Sequence, residues 1–263
     1  MKSLTVGVCA VALLCAGCAT DEVSAAAASG KPAIVFVGAH PDDTEGFAGT
    51  AFLLRDKYEL HVVDLTGGEY GLGEAGWKDG STARIRRAEE ERACAFLGAT
   101  PHFLGELDVP GMCHASKEAT DRLVDILMAV RPVAIFTHWP VDTHPDHVQA
   151  AAVTAQARSI YGKRAKKSTQ YYFYEVVPGE TRQFPPLYSI DITSTIDRKL
   201  EMLRLYACQN PNDELAQEKK RQAAQRGAER KPAVAYAEVF TTYDGKPCKK
   251  GLLQALPEMA LLK

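Results

Sequence analysis

The chain has 263 residues, and its 31 Lys and Arg nearly balance 33 Asp and Glu, leaving a formal charge of −2 at neutral pH. With no basic surplus in either half, nucleic acid is excluded as the expected partner. The length suits one domain with a sizeable core, about 230 residues once the N-terminus is set aside.

That N-terminus reads as an address. Lys2 precedes an apolar run from Leu4 to Ala16, which ends Gly17-Cys18-Ala19-Thr20. A charged start, a short apolar stretch and small residues at the end make an export signal over residues 1–18, too short for a bilayer span. The segment Leu13-Leu14-Cys15-Ala16-Gly17-Cys18 resembles a bacterial lipobox, with Cys18 as the lipid-bearing residue. The expectation is an exported bacterial protein that meets the membrane only through a lipid anchor. Residues 19–30 are small and polar and read as a flexible linker, so the folded domain spans 31–263. Export permits disulfides. Cys94, Cys113, Cys208 and Cys248 lack tight spacing, however, and buried thiols or one bridge are expected.

From Ala33 the pattern alternates. Ala33 to Val37 is wholly apolar, as in a strand buried on both faces, and Thr44 to Arg55 reads as the helix after it. Glu59 to Thr66 is a second strand, followed by the glycine-rich loop Thr66 to Gly73. Ser81 or Thr82 caps a helix that Gly98 ends, and Ser116 caps another running to Val130. Further strands are expected at 101–104, 133–137, 171–177, 187–192 and 236–241. Helices are expected from Pro145 through Ala157, from about 195 to 208 and from about 213 to 226, with the basic stretch Lys163 to Lys167 as a solvated surface turn. The strand–helix alternation argues an α/β fold, a three-layer Rossmann-like sandwich around a mostly parallel sheet.

Two histidine–aspartate clusters sit where strands end. His40-Pro41-Asp42-Asp43 follows the first strand, and His144-Pro145-Asp146-His147 follows the strand at 133–137. In open α/β sheets such ends open into the ligand crevice. His40 and Asp43 are three apart across the turn, and His144 and His147 share a helix face if Pro145 opens it. His40 and Asp43 with one histidine of the second cluster offer three N/O ligands, the usual number for a catalytic zinc with an open position. Such ligands also accept Fe2+ or Co2+. Asp42 is free to take a proton from water, or simply to cap the next helix. Gly67-Gly68 lacks the spacing of a dinucleotide loop.

Ala-His-Pro-Asp-Asp paired with a later His-Pro-Asp-His resembles the LmbE/PIG-L family of zinc-dependent N-acetylglucosaminyl deacetylases. The likeness extends over roughly residues 33 to 240. It implies a hydrolase that releases acetate from an N-acetyl amino sugar on a glycan or conjugate, with His40, Asp43 and His147 as metal ligands, Asp42 as general base and His144 stabilising the oxyanion. Arg86, in an Arg-x-x-Glu pair with Glu89, resembles the family's substrate contact. Glu69 and Asp108 are further substrate candidates, and Asp146 is expected behind the ligands, orienting a histidine. His138 and Asp142 either line the mouth or shape its loop, and Trp139 either gives a sugar ring an apolar face or is an aromatic wedged in that loop. Two other readings stand beside this one: hydrolysis of another amide or ester on the same centre, and a non-catalytic metal-containing carbohydrate-binding lipoprotein. A pure binder has no need of both Asp42 and His144.

Overall fold

A computed structural model describes residues 30–109 and 115–262. The lipobox with Cys18, most of the expected linker, and Cys113 lie outside the described residues.

Eight strands form one sheet: β1 (Ala33–Gly38), β2 (Glu59–Thr66), β3 (Ala99–Glu106), β4 (Ala134–His138), β5 (Gln170–Tyr174), β6 (Tyr188–Asp191), β7 (Ala237–Thr241) and β8 (Met259–Leu261). Their order is β3-β2-β1-β4-β5-β7-β6-β8. The first five run parallel and the last three add antiparallel pairings, so the sheet is mixed but mostly parallel. The helices are α1 (Ala48–Leu54), α2 (Gly73–Lys78), α3 (Ser81–Leu97), α4 (Lys117–Val130), α5 (Pro145–Ala165), α6 (Ile196–Leu203) and α7 (Glu214–Glu229). No helix among the described residues is long and apolar enough to cross a membrane.

Alternation along each strand sorts side chains into two layers. Ile34 and Phe36 of β1, with Phe136 of β4, pack under α1, α3, α6 and α7. Val35 and Val37, with Ile135, face α4 and α5. Every residue of β1 is buried, which is why its sequence is a continuous apolar run. Phe36 stacks on Phe47 at 4.2 Å and on Phe136 at 4.8 Å between ring centroids, which ties α1's entry to the central strands.

The caps expected from sequence are present at α4, where Ser116 Oγ accepts from Ala119 N at 2.9 Å. At α3, Gly98 adopts φ 83°. Other boundaries moved. The helix expected from Thr44 to Arg55 is a 3-10 turn at Asp43–Gly46 and then α1, broken at Phe47 with φ −141°. The turn draws two acids inward: Asp43 reaches His138, and Glu45 pairs with buried Lys219 at 2.8 Å. Helix α5 runs past Ala157 to Ala165, so Lys163 and Arg164 belong to its last turn, where cations suit the helix dipole. The strand expected at 101–104 is longer, and α2 and β8 had no sequence signal strong enough to read. Cys94, Cys208 and Cys248 are free thiols.

Candidate metal and catalytic site

Strand order reverses between β1 and β4, the position where such sheets open a crevice at their carboxyl ends. A cavity of about 310 Å³ lies there. His40 and Asp42 enter it from the loop after β1, Tyr70 and Gly71 from the loop after β2, and Asp108 from the loop after β3. His144 and His147 come from the loop and helix after β4, and Val177 and Glu180 from the loop after β5. Five consecutive parallel strands each deliver residues to one mouth. Arg86 of α3 and Gln209 close it.

Asp43 is held by its surroundings. Its Oδ2 accepts from Ala39 N at 2.6 Å and His40 N at 2.8 Å, and lies 3.0 Å from His138 Nε2. Its Oδ1 faces His147 Nε2 at 3.6 Å with no such partners. Burial opposes ionisation, but His138 and His147 outweigh it and hold the carboxyl well below the usual carboxylate range. His138, buried at the end of β4, has its pKa pushed down to about 4, first by burial, and its ring stacks on His147 at 4.3 Å.

His40 places Nε2 2.9 Å from Asp146 Oδ2, so the expected carboxylate–histidine contact is made on His40. Its Nδ1 lies 3.8 Å from Asp43 Oδ2. His144 caps α5: its Nδ1 accepts from Asp146 N at 3.3 Å, which in a neutral ring leaves the proton on Nε2. Among the described residues, three sets bring donor atoms within 4.8 Å of one another: His40 with His144 and His147, Asp43 with His138 and His147, and His40 with Asp108 and Asp146. The expected trio of His40, Asp43 and His147 straddles the first two sets, which share His147.

Asp42 does not cap the following turn; its side chain makes no capping bond. Its backbone sits at φ 126°, a conformation L-residues avoid, which costs on the order of 1–3 kcal/mol. The geometry aims the carboxylate at Arg86, whose Nη2 donates to Asp42 Oδ1 at 2.8 Å and to Pro41 O at 2.6 Å. Burial raises the Asp42 pKa, and Arg86 opposes the rise. Arg86 was expected against substrate. It lines the cavity, but its guanidinium is committed to Asp42 and is only 4% exposed. A Cβ at Gly68, which has φ +64°, would fall 2.6 Å from that guanidinium, so the glycine-rich loop is shaped around it.

Glu69 is not among the lining residues. Its two carboxylate oxygens accept from Gly67 N at 3.2 Å and Asp108 N at 2.9 Å, clamping the loop after β2 to the loop that carries Asp108. Asp108 itself faces the cavity.

Asp142 fixes the loop between β4 and α5. Oδ1 accepts from His144 N at 2.8 Å and Oδ2 from Thr181 Oγ1 at 2.8 Å. Oδ1 also lies 3.3 Å from His147 Nδ1, close enough for an ion pair but without the alignment of a hydrogen bond. Trp139 Nε1 donates to Arg182 O, and its ring packs on Phe173 and Phe184, so it braces the loop outside the cavity. His138 was readable by the logic applied to His40, since it ends a strand at the switch point. Glu180 carries no sequence signal of its own.

The residues fit a metal ion chemically: imidazoles and a carboxylate converge, Asp43 keeps Oδ1 uncommitted, and carboxylates stand behind both His40 and His147.

Residues 35–158 match the family model PIG-L, GlcNAc-PI de-N-acetylase. A 4-oxalmesaconate hydratase from Pseudomonas putida is 31% identical over 216 residues, covering 76% of this chain and 81% of the relative. A 1D-myo-inositol 2-acetamido-2-deoxy-alpha-D-glucopyranoside deacetylase from a Mycobacterium species is 31% identical, covering 68% and 74%. Among solved structures, N,N'-diacetylchitobiose deacetylase from Pyrococcus horikoshii aligns with TM-score 0.66 and 25% identity, covering 79% of this chain and 82% of that one. The sheet order, the paired histidine–aspartate clusters at its switch point and these matches agree: the chain belongs to the PIG-L/LmbE family.

Proposed function

We propose that the protein is a zinc-dependent hydrolase that removes the acetyl group from an N-acetylglucosamine-type sugar on a glycan or conjugate. The relatives name two reactions, deacetylation of amino sugars and hydration of a polycarboxylate. The cavity lining favours the first. Among the described residues it holds the acids Asp42, Asp108 and Glu180, and its one Arg or Lys is Arg86, already bound to Asp42. A polycarboxylate entering there meets no uncommitted guanidinium or ammonium, whereas a neutral sugar meets acceptors for its hydroxyls. That lining is the observation that carries the reading.

His40, Asp43 and His147 are the assigned ligands, and a divalent ion held by them supplies Lewis acidity, activating water at neutral pH and polarising an amide carbonyl. Asp42, fixed by Arg86, takes the proton of the attacking water and returns it to the leaving amine. His144 presents Nε2–H to the oxyanion of the tetrahedral intermediate. Asp108, Glu180 and Gln209 accept from or donate to sugar hydroxyls and set the ring's orientation. A non-catalytic binder leaves the strained Asp42, its arginine and His144 without a task.

The test is acetate and free-amine release from N-acetylglucosamine-bearing glycans and conjugates, beside hydration of 4-oxalmesaconate, with zinc, iron and cobalt compared. Release of acetate without hydration is expected. Hydration without acetate release overturns the proposal. Cleavage of other amides or esters in preference to N-acetyl sugars moves the substrate while keeping the centre.

A further inference from the structure

The opposite end of the sheet carries a second surface feature. β1, β4 and β5 run parallel, so their amino ends, at Ala33, Ala134 and Gln170, lie together and away from the catalytic mouth. A groove of about 780 Å³ opens there, between the end of α5 and the segment after β7. It continues into a shallower depression along α5 that shares Arg158 and Lys167 with it. The two are lined by Arg158, Lys163, Lys166, Lys167, Lys246 and Lys249, with Asp244 as the one acid. None of these six cations forms an ion pair with another described residue. In a chain of net charge −2, that is a strong local excess.

The groove floor repeats the message. Arg158 Nε, Thr169 Oγ1 and Tyr171 Oη are buried without hydrogen-bond partners, and Thr169 is only 4% exposed. Three orphaned groups that can all donate, beneath a rim of lysines, lack acceptors. At the lip Tyr243 is 78% exposed, an aromatic suited to an interface between water and lipid.

We propose that this groove docks the protein on anionic phospholipid headgroups. The rim of lysines supplies long-range attraction to the headgroup phosphates. The exposed aromatic at the lip favours a lipid surface over a soluble anion. Docking through the groove turns the catalytic mouth away from the bilayer, toward glycans that are not embedded in the same membrane.

The experiment is vesicle co-sedimentation of the full chain, with neutral phosphatidylcholine vesicles compared with vesicles containing increasing phosphatidylglycerol, at low and high salt. The N-terminal segment is common to every sample, so the increment due to anionic lipid is the readout. Wild type should gain affinity with phosphatidylglycerol and lose the gain in salt. The quadruple variant Lys163→Glu, Lys166→Glu, Lys246→Glu, Lys249→Glu should lose about fivefold in affinity per lysine on anionic vesicles and nothing on neutral ones. Circular dichroism confirms that the variant is folded, and Tyr243→Ala gives a second variant that retains every surface charge and should still weaken binding. Equal binding of wild type to both vesicle types overturns the proposal, as does a quadruple variant that keeps the increment. Tight, lysine-dependent binding of soluble polyphosphate with no vesicle increment also overturns it, in favour of an anionic polymer.

Discussion

Arg86 and Asp42 meet at 2.8 Å across the mouth of the sheet, joined by a guanidinium that also holds the carbonyl of Pro41. The two residues are 44 positions apart, on α3 and on the loop after β1. The arginine therefore fixes both the carboxylate of the proposed base and the backbone that carries it. Arg86→Lys keeps the charge but loses the fork, since one ammonium cannot reproduce the planar geometry. We expect kcat to fall roughly ten- to a hundredfold with KM little changed, because positioning and not binding is lost. A rise in KM with kcat intact would assign Arg86 to substrate instead.

Asp142 links the loop after β5 to the centre through Thr181 Oγ1 on one oxygen and His144 N and His147 on the other. Asp142→Asn keeps the shape but removes the charge behind His147. Carboxylates in that position are worth about 10- to 100-fold in metal affinity. Competition against a chelating dye should show a loss of that order, while the apo protein's thermal midpoint stays close to wild type. Unchanged metal affinity would reduce Asp142 to a loop brace.

Phe136 lies at the centre of the aromatic stack, between Phe36 and Tyr172, with its ring edge-on to Phe240. Phe136→Ala should cost about 3–5 kcal/mol, from lost transfer energy and the cavity left behind. Denaturant unfolding measures it, and the loss should appear as a lower midpoint at unchanged slope.

His61 and His102 pair at 3.0 Å between β2 and β3, away from the metal centre. Burial, and then His61, pushes the His102 pKa down to about 4, against about 6.5 in the unfolded chain. The unfolded state binds more protons between those values, so this pair's contribution is full above about pH 6.5 and is lost as pH falls toward about 4. His102→Gln should flatten that part of the stability profile, measured by urea midpoints from pH 7 to 4.5. An unchanged slope would place the acid sensitivity elsewhere.

How much of this was legible beforehand follows from how local each signal is. The buried strand at Ala33–Gly38 is declared by its apolar run, and its carboxyl end locates His40, Asp42 and Asp43. His144 and His147 followed from the proline that opens α5. What stayed hidden depends on contacts between distant segments. Glu69 became a clamp because Asp108 N comes within reach 39 residues later. Glu45 left its helix for Lys219, and Glu180 entered the cavity from an irregular loop after β5. Alternation and capping rules carry no information on such pairings.

The central claim is that Asp42 directs water to an acetyl carbon. The measurement that tests it most directly is deacetylation in 18O-labelled water by wild type and Asp42→Asn, each with its metal content measured. Label is expected in the released acetate, with a loss of about 10²–10⁴ in kcat for Asp42→Asn with metal still bound. Full activity in Asp42→Asn, or label appearing in a hydrated carboxylate with no acetate released, would contradict it.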